Sequence, residues 1–188
     1  MRLAVTLGFL LAAAFGEAAA QGTIEHKVLA TSKTSTMEKE MNEAAEAGYR
    51  YQHVMGGESS VGGKEVIVIM SRIESSSGRY SYKLLATSKT STMQKELQES
   101  SDAGFVYRGQ TVFSSTFGGE EVVAILERDK DGAQPKFDYK LMATTKTSTL
   151  EKELMEAGAA GYEIVGMTIG KTAMGGKELV AITRKGRP

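Results

Sequence analysis

The sequence predicts an α+β fold made of three tandem βαββ repeats, each a three-stranded sheet with one helix on one face. The heptapeptide ATSKTST at residues 30–36 returns at 86–92 and, as ATTKTST, at 143–149, which gives an internal period of 56 to 57 residues. A short apolar stretch precedes each copy, and a helix-like segment and two strand-like segments follow it. We expect the three sheets to pack together, an arrangement that is compatible with pseudo-threefold symmetry.

The chain divides into a leader and three repeats. A positive start at Met1-Arg2, an apolar run over residues 3–15 and small residues before Gln21 are typical of a secretory signal peptide spanning residues 1–20. That run is too short to span a bilayer. We therefore expect a periplasmic or secreted protein that is not inserted into the membrane after signal removal. The repeats are assigned to residues 22–74, 80–129 and 137–188.

Composition excludes several classes of function. The chain has no cysteine, which rules out a disulfide framework and a thiol nucleophile. Lys and Arg number 23, Asp and Glu number 23, and the formal net charge is +0. A balanced chain lacks the basic surface that nucleic acids and anionic membranes require, so neither is expected as a partner.

Each repeat begins with a short apolar strand, such as KVLAT, and the ATSKTST motif that overlaps its end has the chemistry of a helix start. If Ser35 is the N-cap, Glu38 falls at the third helical position and completes an S-x-x-E/Q capping box. The equivalent pairs are Ser91 with Gln94 and Ser148 with Glu151.

The helix in each repeat is predicted from its apolar spacing and its glycine end. Met37, Met41, Ala44 and Ala45 stand at i, i+4, i+7 and i+8, which forms one apolar stripe. A glycine follows where a left-handed residue would close the helix, and an aromatic residue comes next. The three pairs are Gly48 with Tyr49, Gly104 with Phe105, and Gly161 with Tyr162.

Two strands are predicted after each helix, joined by a turn with paired glycines at 62–63, 118–119 and 175–176. The second strand, VIVIM in the first repeat, is apolar on both faces and should lie in the middle of its sheet. This order makes the first two strands parallel and their helical crossover right-handed. A unit of about 50 residues is marginal alone, so the second sheet face must be covered by the other repeats or by an oligomer.

The third repeat carries a family resemblance in FDYKLMAT, LEKELMEAGAAGYEIV and GGKELVAITRK. These segments resemble the small bacterial βαββ domains of domain-of-unknown-function family 4177, which have an aromatic-x-Tyr-Lys strand, a Leu-rich helix and a basic closing strand. The first repeat departs most, with His26 in place of the tyrosine. The resemblance implies the fold, and it transfers no activity and no functional residue.

The loop motif is the candidate binding site, because six of its seven positions are identical in all three copies while other segments drift. Capping explains the serine but not Lys33, Thr34 or Thr36. One interpretation is an anion site, in which helix N–H groups, hydroxyls and a lysine bind phosphate, sulfate or a carboxylate; the motif lacks the frame of a nucleotide P-loop. Another is that these loops contact each other or a partner. The candidate residues are Lys33, Thr34, Ser35, Thr36, Lys89, Thr90, Ser91, Thr92, Lys146, Thr147, Ser148 and Thr149.

Catalytic and metal chemistry is poorly supported by the sequence. The only two histidines, His26 and His53, both lie in the first repeat, and neither a G-x-S-x-G elbow nor zinc-ligand spacing is present. Met37 and Met41 are replaced by leucine in the third repeat, which favours core packing over Cu(I) binding. We therefore expect no enzyme activity, no catalytic residue, no metal and no cofactor.

The function that the sequence predicts is that of an exported, non-enzymatic scaffold that binds or assembles through its three loops. A protein partner or self-association is expected. The alternative is a protein that binds small anions or anionic glycans through the lysine and helix N-terminus of each loop.

Overall fold

The computed structural model describes residues 23–59, 63–72, 77–114, 120–171 and 177–188. The predicted leader lies outside these ranges, as do most of the paired glycines. The first unit comprises β1 (Glu25–Thr31), α1 (Thr34–Glu46), β2 (Arg50–Ser59) and β3 (Gly63–Arg72). The second comprises β4 (Tyr80–Thr87), α2 (Thr90–Asp102), β5 (Val106–Ser114) and β6 (Glu120–Asp129). The third comprises β7 (Phe137–Thr144), α3 (Thr147–Ala159), β8 (Glu163–Lys171) and β9 (Lys177–Gly186).

The predicted sheet topology is confirmed in all three units. The strand orders are β1-β3-β2, β4-β6-β5 and β7-β9-β8, and each central strand is antiparallel to both neighbours. The two outer strands of each sheet are therefore parallel to each other. The central strands are the most buried, since residues 123–127 of β6 are all buried in succession, as expected for a strand covered on both faces.

The helix ends also follow the prediction. Gly48, Gly104 and Gly161 have φ of 90°, 82° and 85°, the left-handed region that favours glycine. At the end of α1, Gly48 N–H donates to Ala45 and Tyr49 N–H donates to Ala44, at 2.9 and 3.0 Å. This is the Schellman arrangement. Both helices that follow repeat it.

The helix starts differ from the prediction. Each helix begins one residue before the predicted N-cap serine, so that Ser35, Ser91 and Ser148 lie within the first turn and the capping-box prediction is wrong. The N-cap residues are lysines, and no side chain caps the helix. The reason lies upstream, where Lys33 N–H donates to Thr31 Oγ1 at 3.2 Å and turns the chain early. Lys89 with Thr87 and Lys146 with Thr144 repeat this bond.

Glu38, the predicted partner of the cap, instead reaches the next unit. Its carboxylate accepts a hydrogen bond from Leu84 N–H at 2.7 Å. One turn later, the Asn42 carboxamide accepts from Tyr82 N–H and donates to Tyr82 O, both at 2.9 Å. Helix α1 therefore satisfies the open backbone edge of strand β4, which would otherwise be free to pair with another strand.

Helix α2 clamps strand β7 in the same way. Gln94 accepts from Leu141 N–H at 2.7 Å and donates to Tyr139 O at 2.6 Å. Gln98 donates to Phe137 O and accepts from Tyr139 N–H, both at 3.1 Å. We call these two sets of bonds the edge clamps. Among the described residues, α3 packs on β7 and β9 and has no strand of another unit along it.

The cores are shared between neighbouring units. Tyr80, Tyr82 and Phe113 of the second unit complete the core of the first. The core of the second unit includes Tyr139 and Ile182 of the third. The third core is smaller and, as far as the structure describes the chain, receives no residue of another unit; Met142, Leu150, Ala157 and Ala181 are buried in it. The three sheets thus pack in series, and among the described residues no further unit follows the third.

The edge clamps can be separated from helix capping by mutating equivalent residues. We expect Gln94→Ala to lower the free energy of unfolding by about 1–3 kcal/mol, because it leaves backbone groups of β7 without partners. Glu151→Ala, at the same position of α3, should cost less than about 0.5 kcal/mol at low protein concentration, since no strand in the described part of its own chain lies across it. Urea denaturation of both variants measures the difference. Equal costs in the two helices would instead favour a role inside each helix.

Candidate functional site

The three loops adopt one conformation. Lys33, Lys89 and Lys146 occupy the N-cap positions with φ of −131°, −116° and −118° and ψ of 123°, 121° and 128°. Each lies between the end of a first strand and the first turn of a helix. The repeated sequence therefore encodes one repeated local structure, as expected.

Part of the motif has a structural role. The first threonine of each copy accepts the lysine N–H, as with Thr31, and the residues equivalent to Thr36 are partly buried. The lysine side chains are different: all three are exposed. No hydrogen bond or ion pair to their ammonium groups occurs within the described ranges. Folding therefore does not account for the lysines.

The loops lie along one side of the molecule. Helix α1 runs antiparallel to β4, because Glu38 meets Leu84 while Asn42, further along the helix, meets Tyr82. The start of α1 is thus beside the end of β4, where the second loop begins, and Thr34 lines one cavity with Ala86. Helix α2 has the same relation to β7. We call the resulting row of three loops the loop rim.

The second loop also borders a narrow cavity between the second and third units. Residues 87–90 line it together with Gln110, Glu121 and Ile182. Its volume is about 30 Å³, the space of one water molecule. Both polar atoms of the Gln110 carboxamide are buried and have no partner among the described residues. The cavity is too small for an organic ligand.

The two histidines do not come together with other catalytic groups. His26 Nδ1 lies 2.9 Å from Ser71 Oγ across the first sheet, and His53 is exposed on β2. In the part of the chain that the structure describes, no cluster of three or more His, Asp or Glu side chains could hold a metal ion. No helix there has the length and apolarity needed to cross a bilayer.

A polar cluster around the buried Glu127, at the junction of units one and two, was missed by the sequence analysis. Glu127 is 5% exposed and accepts from Arg50 at 2.8 Å and from the Tyr82 hydroxyl at 2.9 Å. Its hydrogen bonds raise the pKa of Arg50. The three residues come from β2, β4 and β6, and they have no counterpart set in the other repeats. A comparison of repeats therefore gives no signal for them.

A tyrosine hydroxyl makes a hydrogen bond across each of the two junctions between units. The Tyr82 hydroxyl accepts Tyr51 N–H at 2.8 Å, and the Tyr139 hydroxyl accepts Tyr107 N–H at 3.0 Å. Tyr51 itself abuts Gly109 of the next unit, where any Cβ would collide with its hydroxyl. Tyr107 abuts Gly166 in the same way. Each junction thus depends on a large residue facing a residue that has no side chain.

Exposed apolar side chains at the two ends of the series were also missed. Val28 on β1 is 64% exposed, and Met155 on α3 is 70% exposed. Met155 occupies the position of Asn42 and Gln98, the amides of the edge clamps. The sequence contained this signal, because Met155 is apolar where both other copies carry an amide side chain.

Comparisons with known proteins found no relatives. No protein-family model matches the chain. No curated protein and no solved structure is similar to it either. The resemblance to domain-of-unknown-function family 4177 stays a prediction, and the fold stands on the structure alone.

The junction tyrosines are shifted toward their neutral form. Burial raises the pKa of Tyr51 to about 12. Burial and, secondarily, the charge of Glu127 raise the pKa of Tyr82. Burial also raises the pKa of Tyr107 and of Tyr139. In the unfolded chain these phenols would ionise at the ordinary tyrosine pKa of 10.0.

These shifts predict alkaline destabilisation. The folded state retains phenol protons that the unfolded state loses. The contribution of these phenols to the free energy of unfolding is therefore fully present below pH ~10 and falls as the pH rises above that value. Each tyrosine contributes a slope of about 1.4 kcal/mol per pH unit. Urea denaturation across this range measures the slope. Tyr107→Phe should reduce this slope by the contribution of one tyrosine. An unchanged slope would contradict a raised pKa at Tyr107.

Proposed function

We propose that the chain is an exported, non-enzymatic scaffold that binds a partner through its three ATSKTST loops. The observation that carries the proposal is the row of Lys33, Lys89 and Lys146, which are exposed, alike in geometry and unused by folding among the described residues. Export is inferred from the leader at residues 1–20.

The arrangement of the loops favours a partner with repeated or extended features. Three equivalent sites on one rim can engage one macromolecule simultaneously, and each further contact then occurs at a high effective concentration. Weak individual loops could in this way produce strong binding. The lysines place positive charge on this rim, which suits a partner with acidic groups.

The scaffold proposal predicts that the lysines matter for binding and not for folding. The triple variant K33A/K89A/K146A should unfold within about 0.5 kcal/mol of the unchanged protein, because exposed unpartnered side chains contribute little. It should lose capture of partners from an envelope extract when the protein is immobilised. Quantitative mass spectrometry of the captured proteins provides the measurement.

The chain offers a matched control for this experiment. Lys39, Lys95 and Lys152 are also equivalent lysines, one per unit, and their side chains are 77%, 77% and 79% exposed on the helices. The control K39A/K95A/K152A removes the same charge away from the loops and should retain capture. Loss of capture in both triples would reduce the effect to net charge and contradict a role for the loops.

Binding of small anions or anionic glycans is the second candidate. It is favoured by one observation: no side chain caps any of the three helices. Their first N–H groups, together with the positive end of the helix dipole, suit an anion beside each lysine. Thermal melting with phosphate, sulfate and glucuronate tests it. Saturable stabilisation that disappears in K33A/K89A/K146A supports this candidate, and no shift with any anion removes it.

A further inference from the structure

The same interface occurs twice inside the chain, and among the described residues the third unit and the first unit each present only one half of it. Helix α1 and its sheet receive strand β4, and α2 and its sheet receive β7. In the third unit the receiving half is present without an incoming strand in the described residues. In the first unit the incoming strand β1 is present, and no helix of a preceding unit receives it within the described ranges.

The receiving half in the third unit is an open apolar groove. Leu150, Leu154, Met155, Met167 and Leu179 line it, and its volume is about 510 Å³. We call it the α3 groove. In the first unit, Met37 and Met41 stand where Leu150 and Leu154 stand here, and they are fully buried. Leu150 is buried as well, but Leu154 is only partly buried, whereas Met41 lies in the core that Tyr80 and Tyr82 of β4 complete.

The incoming half at the other end is the outer face of β1. Tyr80, Tyr82 and Leu84 are among the residues of β4 that pack on the first core. Their equivalents at the start of the chain are Ile24, His26 and Val28, all of which are exposed. Ile24 is 51% exposed and Val28 is 64% exposed. The chain thus presents an apolar strand face and an apolar groove with no occupant in the described residues.

We infer that the α3 groove of one molecule binds strand β1 of a second copy, head to tail. Such a contact continues the interface that already joins units one to two and two to three. Of the loop motif only Thr147 lines the α3 groove, and none of the three loop lysines does, so the inference stands whether or not the lysines bind a partner.

Side-chain sizes at the two free halves are complementary. Inside the chain a tyrosine faces a glycine, as Tyr51 faces Gly109. At the free halves the tyrosine is replaced by Ile164 and the glycine by His53. The residue on the groove side is therefore smaller than inside the chain, which leaves part of the room that the larger residue on the strand side needs.

Polar groups are also matched. Glu151 holds the position of Glu38, which accepts a backbone N–H from β4, and it would accept the equivalent N–H of Val28. Glu163 holds the position of Arg50, opposite the hydrogen-bonded pair of His26 and Ser71. A carboxylate there faces a hydroxyl and an imidazole rather than another carboxylate.

The contact between copies should be weaker than the internal junctions. Met155 cannot provide the two hydrogen bonds that Asn42 makes to β4. The mass of the protein should therefore rise with concentration. A head-to-tail contact is heterologous, so that it produces rings if the rotation closes and open chains if it does not.

Sedimentation of the purified protein over a wide concentration range tests this inference. We expect an average mass that grows above that of one chain. Val28→Glu and Met155→Glu each place a carboxylate in the apolar contact and should weaken association at least about tenfold. Both positions are exposed, so the folded unit should be retained, which circular dichroism checks. Lys152→Glu, on the same helix away from the groove, is the control and should associate normally.

Mixing the two variants tests the head-to-tail order. The V28E chain keeps an intact α3 groove, and the M155E chain keeps an intact β1. An equimolar mixture should therefore form one-to-one heterodimers and stop there. A mixture that stays monomeric, or association unaffected by both substitutions, overturns the inference. An unchanged protein that is monomeric at every concentration also overturns it, because the groove is then covered from within its own chain.

Discussion

The edge clamps are the interaction on which the arrangement of the units depends. A three-stranded sheet exposes two open edges, and each needs partners for its backbone groups or protection from other strands. Here Glu38 and Asn42 hydrogen-bond the edge of β4, as Gln94 and Gln98 do for β7. Because these bonds recur one helical turn apart, they set both the angle and the register of each helix against the next sheet. That register also positions the shared cores and the tyrosine hydrogen bonds across the junctions.

The clamps also determine where the loops lie. Helices α1 and α2 each lie antiparallel to the first strand of the following unit. The start of each helix is therefore beside the end of that strand, where the next loop begins, and the three loops lie in a row along one rim. The same bonds thereby convert a repeated heptapeptide into a repeated surface. The motif that was interpreted as a capping device is instead a loop whose lysine is exposed. Glu38 and Gln94, which follow the motif in the first two units, bind the next unit rather than the helix start.

Local interactions explain why much of the fold was predictable. The helix stripe of Met37 and Met41 and the Schellman glycines depend on neighbours within one turn, and the central strands are marked by continuous apolar residues. The helix starts were misplaced because TSKTST offers several hydroxyls and the turn uses an earlier threonine. The role of Glu38 depends on a strand 46 residues away, which no local pattern reveals. Of the candidate loop site, the common conformation was predictable, whereas the exposure of the lysines needed the structure.

The two kinds of contact differ in what they demand of a partner. The junction between units one and two buries Glu127, which Arg50 and the Tyr82 hydroxyl hydrogen-bond, and a misplaced first unit would remove the shorter of its two ion pairs. That junction is therefore specific in register and costly to open. The α3 groove and the outer face of β1 are mainly apolar. A contact between them can therefore form and dissociate in water at a modest cost in free energy. If a second copy docks in the α3 groove as β4 docks on α1, its loops continue the same rim. Self-association would then lengthen the row of lysines, and the avidity of the scaffold would rise with its concentration.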